Sequence, residues 1–515
     1  MTSLPYRIAY IVSSFAAALI AVIGIWLETP VLYGIVPGVL GGIATVVATI
    51  RFLKYRVDLA GFVATTCGFI FYQAFQANPV MLPEFTASLS AVPLVDQVGG
   101  IFLGNFTTGM ILLAYLAVSA AFRRPLAKLV PQPSEASRAS IDRKMLLSFW
   151  LVFIVVAIPN GMFGKVVVGA YKNILYQRAS WAATGEFSGF EVWGGPVGAS
   201  LVNMVFWSTS LFFIWLYLLS SQYRKLMLAL SPLVLLWTAS VTLQGSRTYL
   251  VTLGFGLIVY LLGNPKFGRR AYAYAAFGFP LLFVLVQAAT LFRSGGLQSI
   301  DLRDLAQHLF EIRGNEGTSS QMDGLEFFRT GMVAKNADPN PLVGFVRGMV
   351  ERPIEGILMP VPRSLFPWKP VDDTMREFSL FYQNVRLGVP SDEIFLGASP
   401  GLMGRELIRY GILGPLTVLF WLGLVLALAD KLYATGAGSD FHRVYASVLV
   451  AFFVAEMRDW VPLWFLPFLP VMIILGYVAR KARRPRINFG QRRPVARLAP
   501  RRHRLTDPPP GNYSG

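Results

Sequence analysis

Long apolar stretches recur along the whole chain, and each is about as long as a bilayer core is thick. A membrane-spanning helix needs about 20 mostly apolar residues, and short polar segments separate such stretches here. Only 14% of the residues are charged, whereas a soluble domain carries roughly 25%. The chain is therefore predicted to be an all-α, polytopic membrane protein with about twelve spans. The spans are predicted near residues 8–27, 31–50, 57–77, 101–122, 145–160, 197–220, 226–243, 248–263, 271–292, 412–429, 444–457 and 461–478.

Basic residues lie mainly in alternate loops, and this distribution predicts the orientation. Arg51 and Arg56 follow the second span, Arg123 and Arg143 lie in the loop after the fourth, and residues 480–504 contain eleven Lys/Arg. Because cytoplasmic loops are enriched in Lys and Arg, both termini are predicted to be cytoplasmic. The net charge of +18 is concentrated beside predicted membrane, which favours contact with anionic lipids over binding of nucleic acid.

The loop between the ninth and tenth predicted spans, residues 293–411, is much longer than the others and is predicted to lie outside the cytoplasm. Apolar periodicity predicts helices in it at 302–312, around 345–349 with an end before Pro353, and at 375–382. The chain thus divides into several regions. They are a four-span region (1–122), a cytoplasmic loop (123–144), central spans (145–292), the long loop (293–411), C-terminal spans (412–478) and a basic, disordered tail (479–515).

The sequence lacks the residues that several kinds of catalytic site require. The sequence has no Gly-rich loop ending in Lys-Ser/Thr for nucleotide phosphates and no His-Glu-x-x-His zinc motif. Its three histidines, His308, His442 and His503, lie in different regions, and Cys67 is the single cysteine, in an apolar run. We therefore expect neither a metal site nor a cofactor.

Arg247 interrupts two apolar runs, in Gln244-Gly245-Ser246-Arg247. An arginine at mid-bilayer costs about 2.5–3.5 kcal/mol on insertion scales, so this side chain must reach headgroups, pair, or face a polar cavity. Snorkelling to the membrane surface is one interpretation. The other is anion binding, since the guanidinium fork matches the oxygens of a lipid pyrophosphate.

Two segments of the long loop combine charge with ordered backbone. Residues 360–370 carry four prolines together with Arg363, Trp368 and Lys369. They predict either a rigid turn packed on the membrane or a face that stacks on sugars and binds anions.

Residues 401–414 place Arg405, Glu406 and Arg409 within about one helical turn. They predict either a local ion pair between Glu406 and Arg409, three residues apart, or a carboxylate held among cations in an active site.

At these residues the chain resembles the Wzy-type polymerases that join O-antigen or exopolysaccharide repeat units. The resemblance rests on Gly245-Ser246-Arg247 between two spans, on Pro362 to Pro367, and on Gly404-Arg405-Glu406 to Gly411, within residues 197–478. It implies a GT-C-like bundle in a bacterial inner membrane with a large periplasmic loop. It also implies metal-independent glycosyl transfer from undecaprenyl-pyrophosphate-linked oligosaccharides, in contact with membrane lipids and with a chain-length regulator as a possible partner.

The resemblance implies roles for particular residues. Arginines would neutralise the leaving pyrophosphate, and a carboxylate or histidine would accept the proton of the attacking hydroxyl. Glu406 is the favoured base, with Asp392, Glu393 and His308 as alternatives. The expected catalytic residues are Glu406, Arg247 and Arg363, and the expected substrate-binding residues are Arg405, Arg409, Arg293, Trp368 and Lys369.

Two other functions stay open. An O-antigen ligase would use the same donor and a different acceptor, and the sequence does not reveal the acceptor. A flippase for lipid-linked oligosaccharides would need a cationic cavity that both sides of the membrane can reach, whereas the predicted arginines gather on one side.

Overall fold

The computed structural model describes residues 3–129, 135–154, 201–243, 247–263, 317–330, 340–358, 374–386, 400–435 and 440–457, with isolated residues between 268 and 284 and at 388. Every regular element among these residues is a helix. The helices are α1 (Leu4–Trp26), α2 (Val31–Tyr55), α3 (Leu59–Gly68, continued through Phe69–Gln73 to Ala77), α4 (Leu82–Ser90), α5 (Leu94–Ala121), α6 (Arg123–Leu129), α7 (Glu135–Val152), α8 (Leu201–Leu218), α9 (Arg224–Leu243), α10 (Arg247–Gly263), α11 (Gly317–Arg329), α12 (Pro341–Leu358), α13 (Thr374–Phe381), α14 (Gly401–Tyr410), α15 (Gly414–Thr435) and α16 (Asp440–Met457).

Four of the described helices, α1, α2, α5 and α15, are long and apolar enough to cross a membrane by length and composition. They coincide with the first, second, fourth and tenth predicted spans. Shorter apolar helices lie at Thr209–Leu218 and Leu250–Leu262, inside two other predicted spans. The predicted spans at 271–292 and 461–478 fall largely or wholly outside the described residues. The helical fold is therefore confirmed, with four candidate spans among the described residues, and the full set of twelve spans stays a prediction.

The turn between α2 and α3 shows how polar residues end one span and begin the next. Arg56 and Asp58 both adopt left-handed backbone conformations, with φ of 52° and 68°. The Asp58 carboxylate then accepts a hydrogen bond from the backbone N–H of Gly61 at 3.3 Å, which caps α3.

Helix α5 occupies the middle of the bundle and packs against α1, α15 and α11. Its small residues allow close approach: a Cβ atom on Gly104 would lie 2.6 Å from Thr318 Oγ1, and one on Gly100 would lie 2.7 Å from the Met322 backbone. At the start of α5, Asp96 pairs with Arg329 at the end of α11, with 2.8 Å between Oδ2 and Nη2. Helix α11 belongs to the predicted long loop, yet it packs along a candidate span instead of standing apart from the bundle.

Charged residues of the bundle gather at its two opposite ends. At one end, here called the Arg7 end, Arg7 Nε donates to Asp58 Oδ1 at 2.5 Å and Nη2 donates to Asp430 Oδ2 at 3.1 Å. Tyr115 Oη donates to the same Asp430 oxygen at 2.8 Å. The other end, here called the Glu406 end, lies at the beginning of α15. Thr417 and Asp430 are separated along α15 by about 20 Å, at 1.5 Å per residue.

Helix directions follow from the contacts at the Arg7 end. Helix α16 begins there, and its Phe441 ring contacts the Tyr217 ring near the end of α8, with centroids 6.4 Å apart. Trp215 Nε1 of α8 donates to the Met227 carbonyl near the start of α9 at 3.2 Å. Helix α9 therefore leads away from the Arg7 end and α10 returns toward it, so α10 and α16 run in opposite directions.

The helices of the predicted long loop agree only partly with expectation. The helix expected at 375–382 is confirmed by α13 and the π-helical turn Tyr382–Arg386 that follows it. The expected helix end before Pro353 is wrong, because α12 continues through Pro353 to Leu358. A proline inside a helix removes one hydrogen bond and crowds the preceding turn. Ion pairs from residues on both sides of Pro353 hold the helix against its neighbour and offset that cost.

Candidate functional site

Helices α12 and α14 cross in close contact at the Glu406 end. A Cβ atom on Gly344 would lie 2.1 Å from the Tyr410 carbonyl oxygen, and one on Gly348 would lie 2.9 Å from Thr417 Cγ2. Such distances are tolerated only because glycine has no side chain. Every residue of α14 is buried, so its charged side chains must find partners within the protein.

The pair between Arg352 and Glu406 is the most deeply buried contact of this crossing. Arg352 Nε donates to Glu406 Oε2 at 2.8 Å, and Nη2 donates to Oε1, which makes a two-pronged ion pair. Thr417 Oγ1 donates a third hydrogen bond to Oε2 at 3.1 Å. The side chains of Arg352 and Glu406 are 2% and 1% exposed.

A second two-pronged pair lies beside the first. Arg409 donates through Nη1 and Nη2 to both oxygens of Glu355, with 2.8 Å between Nη1 and Oε2. Arg409 Nη2 also lies 3.5 Å from Glu351 Oε2, and Glu351 pairs with Arg347 of its own helix. The group of eight side chains at this end is called the Glu406 cluster. It consists of Arg347, Glu351, Arg352 and Glu355 of α12, Arg405, Glu406 and Arg409 of α14, and Glu456 of α16.

These contacts overturn the interpretation of Glu406 and Arg409 as a local pair. Each residue instead pairs with a partner on α12 that is 54 positions away in sequence. The reason is geometric, since both side chains lie in the packed interface with α12, where a two-pronged partner is within reach.

One guanidinium nitrogen of the cluster retains an open donor. Arg352 Nη1 is buried and makes no hydrogen bond to any other described residue. Glu456 Oε2 lies 3.9 Å from this nitrogen, beyond hydrogen-bond distance. Burial by itself lowers the pKa of Arg352, but Glu406 and Glu456 more than compensate and raise it, so the guanidinium stays charged. Burial also raises the pKa of Tyr410, which keeps its phenol neutral beside the cluster.

The backbone of Arg247 lies at this same end of the bundle. Gly256 of α10 faces Ser447 of α16, since its Cβ atom would lie 2.9 Å from the Ser447 carbonyl oxygen. The two helices run in opposite directions. Arg247 lies nine residues before Gly256 in α10, and Glu456 lies nine residues after Ser447 in α16. Both positions are therefore about 13.5 Å from that contact along their helices. The Arg247 backbone is thus level with Glu456.

The expected site residues divide into two groups. Glu406 and Arg409 lie in one buried network of ion pairs, Arg405 is buried in the same helix, and the backbone of Arg247 lies at the same end. Arg293, Arg363, Trp368 and Lys369, with the alternative bases His308, Asp392 and Glu393, lie outside the described residues.

The sequence analysis missed the partners of the cluster, Arg352, Glu355 and Glu456. A signal for Glu355 was present, because Arg347, Glu351 and Glu355 recur every four residues, as expected for one face of a helix. Ending the predicted helix before Pro353 removed Glu355 from that face. No local pattern indicates Glu456, which reaches the cluster from another helix.

The charge of the described cluster is balanced, with four arginines and four glutamates. Each of Glu355 and Glu406 is engaged by an arginine on both oxygens. Among the described residues, no group of three or more His, Cys, Asp and Glu side chains is placed to hold a metal ion.

The fold and the cluster together define a class: an α-helical membrane protein with a buried network of arginines and glutamates at one end of its bundle. Comparison with protein-family models, with curated proteins and with solved structures gives no match.

Proposed function

We propose that the chain is a metal-independent membrane glycosyltransferase that polymerises oligosaccharide repeat units linked to undecaprenyl pyrophosphate. The observation that carries this proposal is that the backbone of Arg247 lies at the same end of the bundle as the buried arginines of the Glu406 cluster. The distribution of basic loops assigns the opposite, Arg7 end to the cytoplasm. The Glu406 end then faces the periplasm of a bacterial inner membrane, where lipid-linked repeat units are joined.

In the proposed reaction, a hydroxyl oxygen of the acceptor repeat unit attacks the anomeric carbon of the donor glycan. The bond from that carbon to the pyrophosphate oxygen breaks, and its electron pair leaves with the lipid pyrophosphate. The hydroxyl proton passes to a base. Guanidinium groups fixed beside the pyrophosphate stabilise the charge that grows on it, which is the largest demand of the step when no metal takes part.

The balanced charge of the Glu406 cluster assigns it a supporting part in this proposal. Pairs of opposite charge do not by themselves attract a diphosphate, so this proposal assigns the excess positive charge to Arg247 and Arg363, and further positive charge to Arg293 and Lys369. Arg352 and Arg409 are 2% and 7% exposed and are paired with glutamates, so in this proposal they hold the walls of the site in place from behind. Arg405 is expected to bind substrate, and Trp368 to offer a face for a sugar ring.

The contacts of Glu406 favour a positioning role over the role of base. Its oxygens already accept three hydrogen bonds, from Arg352 and Thr417, and the side chain is 1% exposed. A general base must lie within hydrogen-bond reach of the hydroxyl it deprotonates. Glu406 therefore fixes the orientation of Arg352 in this proposal, and the proton passes to another of the expected bases, Asp392, Glu393 or His308.

Reconstitution tests the reaction directly. The purified chain in proteoliposomes, supplied with a purified lipid-linked repeat unit, should convert it into a ladder of polymers and release undecaprenyl pyrophosphate. In a parallel reaction that also contains lipid A core, transfer onto that core without a ladder would instead identify a ligase. Movement of the repeat unit across the bilayer without any new glycosidic bond would identify a flippase, and either result would refute the polymerase proposal.

A further inference from the structure

Helix α12 exposes its apolar side and buries its charged side. Leu342, Val346, Val350 and Ile354 recur every four residues, so they form one stripe along the helix. They are 67%, 60%, 53% and 37% exposed. The opposite side carries Arg352, which is buried against α14.

This arrangement is the opposite of the one found on helices that face water. A helix on the surface of a soluble protein turns its apolar stripe inward and its charges outward. An exposed row of large aliphatic side chains on an ordered helix marks a surface that something apolar covers. Hydrocarbon is the environment in which apolar residues belong outside and charges belong inside, paired with one another.

The position of α12 identifies the hydrocarbon as that of the bilayer. Gly348 of α12 touches Thr417, which lies in the first turn of the candidate span α15. Next to that contact, Leu416 of the span and Ile412 just before it are 51% and 64% exposed. The stripe of α12 is therefore at the depth of the first turn of a membrane span and continues its apolar surface.

We propose that α12 lies within the lipid leaflet at the Glu406 end, with the stripe of Leu342, Val346, Val350 and Ile354 in contact with lipid acyl chains. An interfacial helix of this kind sinks its apolar face by about 5–10 Å below the headgroups. Arg352 and Glu355 lie on the other side of the helix, where each pairs with a residue of α14. Helix α12 itself shields these charges from lipid. This inference does not depend on the proposed glycosyl transfer.

The single cysteine of the chain makes the test direct. In the full-length chain with Cys67→Ala, a nitroxide label is attached to Val346→Cys or to Val350→Cys, each in proteoliposomes. Ser90→Cys, on an exposed polar position of α4, is the matched water-facing control. Collision rates with molecular oxygen, which concentrates in lipid, and with a water-soluble nickel chelate are measured at each site.

We expect the ratio of oxygen to nickel collisions at Val346 and Val350 to exceed the ratio at Ser90 several-fold. Lipids that carry a spin label on the acyl chain should also increase the spin relaxation rate of the nitroxide at both positions. High nickel collision at both positions would show that the stripe faces water and would overturn the proposal. Immobile labels protected from both reagents would show that a second protein surface covers the stripe, and would overturn it equally.

Discussion

The coupling between Arg352 and Glu406 can be predicted from their burial. Glu406→Leu leaves the Arg352 guanidinium, 2% exposed, without its two-pronged partner. Removal of one member of a buried ion pair costs about 3–5 kcal/mol. Glu456 attracts Arg352 across 3.9 Å, by about 4 kcal/mol at an effective dielectric constant of 20. This attraction is present in the wild type and in the Glu406→Leu variant, so it does not offset the loss. Arg352→Met should cost a similar amount, because it leaves Glu406 with Thr417 as its remaining hydrogen-bond donor.

The double variant Arg352→Met/Glu406→Leu should be far more stable than the sum of the single variants predicts. Replacing a buried pair by apolar residues of similar volume is often neutral or stabilising, so the coupling free energy should be at least about 3 kcal/mol. The assay is equilibrium unfolding by SDS in mixed micelles, followed by circular dichroism. Reaction of a fluorogenic maleimide with Cys67, buried and the single cysteine of the chain, reports unfolding independently.

A matched control is the pair of Asp96 and Arg329, whose arginine side chain is 46% exposed. The Asp96 carboxylate is 3% exposed, but water reaches the Arg329 guanidinium, so the coupling free energy of this pair should be smaller than that of Arg352 and Glu406. Additive effects of the Arg352 and Glu406 variants would refute the assignment of a buried, mutually dependent pair.

Three further predictions concern function and packing. Arg247→Ala or Arg363→Ala should abolish chain extension in reconstituted vesicles while the protein still inserts, and Arg247→Lys should keep part of the activity, since an ammonium cannot bind two oxygens as a fork. Truncation after Arg486 should leave activity largely intact, because the basic tail is predicted to serve topology and lipid contact; an inactive but correctly inserted truncation would contradict this. Gly344→Val should destabilise the chain by about 1–3 kcal/mol, since its Cβ meets a backbone oxygen. Gly278→Ala, with no atom of the described residues within 4 Å of the new Cβ, is the control.

Apolar length was sufficient to predict the long spans. The expected spans at 31–50 and 412–429 correspond to α2 and α15, because a stretch of about 20 apolar residues has few other stable environments. The sequence also predicted that Arg405, Glu406 and Arg409 lie together, since residues within about one turn of a helix must be close.

What could not be predicted depends on contacts between distant segments. The partner of Glu406 lies on a helix 54 positions earlier, and nothing local to either residue distinguishes a pair within one helix from a pair between two. The same holds for Pro353, whose effect on α12 is decided by the packing of that helix against α14. The docking of α11 along α5 depends on Gly100 and Gly104, and glycines within a span do not show which helix approaches them.

Guanidinium groups at the Glu406 end are proposed to bind a diphosphate headgroup, and the proposed reaction depends on this binding. Its most direct test is the affinity of the chain in nanodiscs for a polyprenyl diphosphate, compared between wild type, Arg247→Gln, and the control Arg124→Gln at the exposed Arg7 end. A charge-assisted hydrogen bond contributes about 1.5–3 kcal/mol, so Arg247→Gln should weaken binding about 10- to 100-fold, and Arg124→Gln should leave it unchanged. Equal affinity of all three proteins, each with Cys67 still protected from maleimide, would contradict the account.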